Sequence, residues 1–450
     1  MKNKILYAKR NMISMNSTTS IPANRITFSR MAGRMRIVFA ASLLALILSA
    51  RGPAQAQEQT LDVMHWWTSG SEVKALDILR KDLRLRGVGW KDSQIAGGDD
   101  RKRPILNARI GVGRNPDAAM MHSFNIRSYA QEGLLLNLDD LAARERWDDV
   151  VYAPLQRLAK YQEHWVAAPA NIHRANWIWA NKKIFDQLKL APPRTFDEFV
   201  AAAEKINSAG YLPLAHGGQP WQDTLLFDNA VLSVGGAMFY RDALIKLDPA
   251  ALGSDTMRRV FEQLLRLRGM IDRNSAGREW NAATALVIRD VAAMQIMGDW
   301  AKGEFLKAGK KPNVDFLCFP YPDTSNSYIF VTDLFGMFRN EGKRIKAQHT
   351  LADAIMDRDM QEEFNLTKGS IPARIDASLK NFDDCGTRSA ADFQKAIEAD
   401  TAVERFVAEI PETARLAVYG VMNDFFRSSQ TPEEAVKLLA AAVMGAKARK

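Results

Sequence analysis

Apolar and polar positions switch between a period near two and a period near 3.6 along most of the chain, which predicts strands interleaved with helices. Residues 61–66 (LDVMHW) read as a short strand, followed by a helix over 71–85. Residues 117–121 are a second buried-strand candidate, set between helical stretches at 101–112 and 126–144. Residues 164–169 read as a strand that leads into a crossing segment. Thr195 and Glu198 have the spacing of a capping box, in which each side chain satisfies a backbone donor near the other, and Gly210 stops the helix they open. Thr431 and Glu434 repeat the signature around Pro432 and start the last helix. Strand character returns at 292–297, 315–319 and 329–332, and beyond about 340 nearly everything reads helical. This alternation argues an α/β architecture with largely parallel sheets and a helical C-terminal layer.

Charge divides the chain into two parts. Nine of its 61 Lys and Arg fall within residues 1–56, which hold no Asp or Glu, so 52 basic and 52 acidic groups remain on 57–450. The formal +9 therefore resides in the first segment, and a nucleic-acid partner loses its support. That segment carries Arg34 and Arg36, then fourteen apolar or small residues at 37–50, then Ala54-Gln55-Ala56. A basic n-region, a short apolar run and A-x-A describe a signal peptide cut after Ala56, with a start at Met31 as an alternative. Fourteen residues are too few to span a hydrocarbon core of roughly 30 Å. Export to the periplasm is expected.

The 394 residues from 57 onward are too many for one compact core and about right for two lobes. The sequence assigns 57–170 and 321–365 to the first lobe, and 171–320 with the helical 366–450 to the second. No repeat or long linker interrupts them, so crossing strands are expected as the hinge. The two cysteines, Cys318 and Cys385, lie 67 positions apart. In an oxidising compartment an even pair favours a disulfide, with two buried free thiols as the alternative.

The usual catalytic signals are missing. The six histidines form no H-E-x-x-H and no pair at metal-ligand spacing, and there is no Walker sequence or G-x-S-x-G elbow. Residues 111–116 (GVGRNP) imitate a dinucleotide loop but follow a helix and carry Pro where the last Gly belongs, so they read as a helix stop and turn. Asp99-Asp100 and Asp383-Asp384 read as solvated turns rather than calcium ligands. No cofactor is expected.

Several of the ten tryptophans sit beside turns, with core filling as the alternative for any one of them: Trp66-Trp67 before a Ser/Gly stretch, Trp221 after Gln219-Pro220, Trp280 after Gly277-Arg278-Glu279. Ligands in open α/β sheets bind beyond the carboxyl ends of strands. An aromatic pair there offers flat faces to the C–H faces of a pyranose, while isolated carboxylates and ammonium groups suit its hydroxyl rim. Adjacent strand residues face opposite sides, so one of Trp66 and Trp67 must point away from the core.

Five segments then occur in order: 65–72 (HWWTSGSE), 171–177 (NIHRANW), 214–223 (LAHGGQPWQD), 297–304 (MGDWAKGE) and 368–374 (KGSIPAR). Together they closely resemble glucose/mannose-type sugar-binding proteins of bacterial ABC importers, within extracellular solute-binding protein family 1. The resemblance runs from about Leu61 to the last helix. It implies a two-lobed, type II periplasmic-binding-protein fold that closes on an aldohexose such as glucose or mannose and is read by a membrane permease, working as a monomer. It also implies ring contacts from Trp66, Trp67 and Trp280, hydroxyl contacts from Glu72 and His122, a charged grip from Asp333 and Lys368, and a bridge between Cys318 and Cys385. Three departures stand out: Met120 where relatives carry Gln, Asp99-Asp100 in a glycine run, and 406–412 (FVAEIPE) where relatives place a ligand-contacting His. Two further readings remain: a sugar sensor for chemotaxis or signalling, and a secreted carbohydrate-active enzyme using Glu72 and Asp333 as its carboxyl pair.

Overall fold

The computed structural model describes residues 59–448 apart from 341 and 343; the leader and its cleavage site lie outside them. Two separate apolar cores organise these residues. The first gathers Leu61, Val63, Leu76, Leu79 and Ile126 with Phe335, Leu351 and Phe364. The second gathers Trp177, Trp179, Phe227, Phe261, Phe305 and Phe425.

Each core is built on one sheet. In the first, strand Gln59–His65 pairs in parallel with Val88–Gln94 and Ala118–Met121, and Leu334–Met337 then runs antiparallel between Ala118–Met121 and Ala167–Pro169. In the second, Trp177–Asn181 runs antiparallel to both Phe316–Pro320 and Ala292–Ile296, and Ala292–Ile296 pairs in parallel with Leu212–Ala215. Both sheets are therefore mixed, where largely parallel ones were expected. The reason is that Trp177–Asn181 and Leu334–Met337 each begin just after the chain has crossed between lobes, and so enter their sheets from the opposite end.

Three short strands make the crossing. His173–Arg174, Tyr328–Val331 and Ala402–Glu404 form one small sheet with Tyr328–Val331 in the middle. Successive strand side chains face opposite sides. Accordingly Tyr328 and Phe330 enter the first core, while Ile329 and Val331 enter the second.

The helices follow their end signals. Ser69 and Glu72 cap Gly70–Leu85, Thr195 and Glu198 cap Phe196–Ser208, and Thr431 and Glu434 cap Pro432–Lys447, each as a reciprocal capping box. The expected helix over 126–144 is two, Ser123–Gln131 and Asp139–Arg144, because Gly133 takes a left-handed φ of 71° and turns the chain. The residues from 366 on were expected in the second lobe alone. Instead Ile371, Ala373, Ala390, Phe393 and Ala396 pack into the first core, and the second reclaims the chain from Val403. Helix Asp384–Glu398 bridges the two, since its Cys385 belongs to the second core. Cys385 is bonded to Cys318 on strand Phe316–Pro320, with Cα atoms 6.1 Å apart. No helix among the described residues is long and apolar enough to cross a membrane.

Candidate ligand-binding cleft

Between the cores lies a cleft lined by side chains of both. All seven residues singled out in the sequence, Trp66, Trp67, Glu72, His122, Trp280, Asp333 and Lys368, line it. The folding reasons differ from one to the next. Strand Gln59–His65 ends beneath the cleft, and the chain must turn to enter helix Gly70–Leu85, which carries Trp66 and Trp67 past the carboxyl end of the strand. Trp67 is nearly enclosed, packed against Phe335 and Phe364, and offers the cleft only part of its ring. Trp66 is the more open of the pair, with its ring edge-on to His122 and 5.2 Å beneath the Lys102 ammonium.

Glu72 works twice. One carboxylate oxygen accepts from the backbone N–H groups of Thr68 and Ser69, completing the cap, and the other accepts from Lys368 Nζ at 3.2 Å. A carboxylate offers about four acceptor positions, so roughly one remains for a ligand hydroxyl. Lys368 closes helix Arg358–Lys368, where Gly369 at φ 98° makes the left-handed turn that aims the lysine inward.

Opposite this pair stands a second polar network. Asp333 accepts from Asn171 Nδ2 at 2.7 Å and from His173 Nε2 at 3.2 Å, and His173 Nδ1 is bonded to Asp299. Burial works against ionised Asp333, but His173, Lys368 and Asn171 outweigh it and hold the carboxyl down at about 2. Burial also works against charge on His173, yet Asp299 prevails and raises its pKa, so both ring nitrogens donate in the cation. For His122 burial wins over Asp99 and the pKa falls, leaving a neutral ring with one donor and one acceptor. An Asp333 ionised at neutral pH cannot serve as a general acid.

Several lining residues were not singled out. His173 and Trp300 lie inside the segments 171–177 and 297–304, which already carried their signal, and Trp221 stands out in the sequence only as a tryptophan beside a turn. Asp99 and Asp100 were read as a solvated turn, but Gly97 and Gly98, at φ 94° and 75°, swing them into the first turn of helix Gly98–Gly111. There Asp99 is buried, 3.2 Å from the enclosed Lys102 ammonium, which also donates to the Met120 carbonyl. Met120 itself lies in the first core, away from the cleft. Arg405, Arg415 and Tyr419 line the wall supplied by the C-terminal helices, and no sequence motif announced them. Asp383 caps helix Asp384–Glu398 through the Gly386 N–H. Among the described residues no group of three or more His, Cys, Asp or Glu is placed to hold a metal ion.

Ion pairs and hydrogen bonds join the lobes beside the cleft. Glu304 of the second lobe accepts from both the N–H and the hydroxyl of Ser71, at 2.9 and 2.7 Å, at the start of helix Gly70–Leu85. Arg103 meets Glu412 at 2.9 Å, and Asp100 is paired with Arg415. Gly303 permits this approach, since a Cβ there would come within 2.8 Å of Ser71.

Residues 92–345 match the model of the bacterial extracellular solute-binding protein family. The chain belongs to that family. It is 45% identical over 407 residues to a probable sugar-binding periplasmic protein of Brucella suis, covering 90% of this chain and 96% of the relative. A protein of the same description from Rhizobium meliloti is 44% identical over 416 residues, covering 92% and 100%. Among solved structures, the bacterial solute receptor AcbH superposes with a TM-score of 0.76 at 17% identity, over 87% of this chain and 99% of that one. A chitin oligosaccharide binding protein superposes with a TM-score of 0.73 at 20% identity, over 87% and 100%. This solute-binding protein thus has the two-lobed fold of its family, and its class is that of binding proteins rather than enzymes.

Proposed function

We propose that this solute-binding protein captures a neutral sugar, an aldohexose such as glucose or mannose, in the cleft between its lobes, and delivers it in the periplasm to the permease of an ABC importer. The observation that carries this reading is the pairing of surfaces in the cleft. Five tryptophans line it, Trp66, Trp67, Trp221, Trp280 and Trp300, and its charged groups are already balanced in the pairs Glu72–Lys368 and Asp333–His173. Flat apolar faces suit the C–H faces of a pyranose, and charge-assisted hydrogen bonds to its hydroxyls contribute about 1.5–3 kcal/mol each. The names carried by the relatives from Brucella suis and Rhizobium meliloti support the same class of ligand. The working unit in this reading is one chain without a cofactor, with 57–170 and 321–365 in the first lobe, 171–320 in the second, and the residues from 366 on shared between the two.

Titration calorimetry with a panel of hexoses and disaccharides tests it. The expected result is reversible binding without turnover, accompanied by a change in tryptophan fluorescence. A panel that produces neither heat, thermal shift nor fluorescence change overturns the reading.

A further inference from the structure

Three obligate cations line the cleft, and in two of them no buried nitrogen is left without a partner. Lys368 donates to Glu72, while Arg405 donates through Nε to Asp228 at 2.6 Å and through Nη2 to the Trp221 carbonyl and the Thr224 hydroxyl. Arg415 is different. Its side chain is 2% exposed, its Nη1 is paired with Asp100, and its Cζ lies 5.2 Å from the centre of the Tyr419 ring, whose hydroxyl is close enough to feel the guanidinium. The remaining edge, Nε and Nη2, is buried with no hydrogen-bond partner. A buried donor left unpaired is unfavourable, and here two of them lie side by side on a residue that lines the cleft.

That edge is the planar fork with which a guanidinium grips two neighbouring oxygens. Carboxylates and vicinal diols both present such a pair of oxygens. The surrounding charge separates them. Arg415 is already neutralised by Asp100 and Arg405 by Asp228, the carboxylates Asp99, Glu72 and Asp333 face Lys102, Lys368 and His173, and Glu279 is hydrogen-bonded to neutral Gln219, so the lining holds no positive charge to spare for an anion. A ligand carboxylate at the fork would bring an uncompensated anion into that company, whereas a diol adds no charge and can donate its own hydroxyl hydrogens to the nearby carboxylates.

We propose that Arg415 is a specificity-determining contact whose free Nε–Nη2 edge receives two adjacent hydroxyl oxygens of a neutral sugar. The proposal rests on the sugar-binding reading of the cleft. It places one end of the ligand against the helix Glu412–Arg427, across from the end held near Glu72 and Lys368.

Calorimetry of the purified protein, R415Q and R415K against D-glucose, D-mannose, D-galactose, D-xylose, maltose and D-glucuronate tests the assignment. The wild type is expected to bind a neutral sugar more tightly than D-glucuronate. R415Q should lose ten- to a hundredfold in affinity, and R415K, which keeps a charge opposite Asp100 but has no fork, should lose at least tenfold. Monodeoxy analogues of the bound sugar separate direct contact from lobe closure: one analogue should cost the wild type about tenfold and cost R415Q nothing further. Affinity within twofold of wild type in both variants overturns the assignment, as does a deoxy penalty that persists undiminished in R415Q. Tighter binding of D-glucuronate overturns the neutral-diol chemistry. A wild type silent toward every sugar overturns the sugar reading itself, and the Arg415 assignment with it.

Discussion

Asp333, His173 and Glu404 determine how this protein should respond to pH, and their signs can be worked out one at a time. The Asp333 pKa is depressed to about 2, so its contribution to stability is complete above the ordinary carboxylate range and is lost only as pH falls through about 2. The His173 pKa is raised, so its contribution is complete below its ordinary value of about 6.5 and fades as pH rises through the folded value. Glu404, buried in the hinge sheet with Glu409 beside it, has its carboxyl pushed up to about 8 by burial and by that neighbour, against the help of the Ser123 hydroxyl at 2.6 Å. The folded protein therefore holds a proton there that the unfolded chain releases at lower pH, and stability again falls as pH rises from about 4.5 to 8. Melting temperature is expected to decline between pH 5 and 8.5, and Glu404→Gln should flatten that decline while leaving the pH 5 value nearly unchanged. An identical slope in the variant would remove Glu404 from the account. In the cleft, Asp333→Asn leaves the grip of His173 and Lys368 without its anion, and calorimetry should show a loss of at least tenfold in sugar affinity, about 1.4 kcal/mol or more. Residues of this kind were legible where a segment surrounded them. Arg415 was not, because nothing in 406–412 announces that the first turn of the next helix will face a ligand.

Among the elements, the capped helices were the easiest to read. Their signals are local: Thr195 with Glu198, and Thr431 with Glu434, satisfy backbone donors within one turn, so four residues of sequence suffice. Thr195→Ala should cost about 1 kcal/mol of stability, measured by urea unfolding, with no effect on ligand affinity. Helix Gly70–Leu85 has a further support that no local signal reveals, since Glu304 caps it from the other lobe. Glu304→Ala is expected to weaken ligand binding several-fold without touching the cleft, because the binding-competent closed form becomes a smaller fraction of the population. Titration of that variant checks it, and unchanged affinity would mean that the contact does not bias closure. Two of the strands that escaped notice share a property that Val88–Gln94, mostly half-buried or exposed, does not have. Trp177–Asn181 and Leu334–Met337 are buried along their whole lengths and show no alternation to distinguish them from buried helix or crossing segment.

For the whole molecule, the disulfide is the most direct test of how the parts are joined. It closes a loop of 67 residues and ties the second lobe's sheet to a helix that packs on both cores. Cys318→Ser with Cys385→Ser should lower stability by about 2–4 kcal/mol and move the melting temperature down measurably, and an unchanged melt would show that the loop is restrained by packing alone. The sequence by itself determined the α/β class, the two-lobed scale, the capped helix starts and seven of the residues that line the cleft, because propensity, capping and segment identity act over a few residues. It placed 366–450 in the second lobe and expected largely parallel sheets where both are mixed, and it left open the partners of the cleft's charges. Those were decided only in three dimensions. Whether Phe393 packs with the first core and Cys385 with the second depends on which side of the hinge sheet the helix lies. Likewise, whether a guanidinium such as Arg415 is satisfied or free depends on what stands across the cleft, 315 residues away along the chain at Asp100.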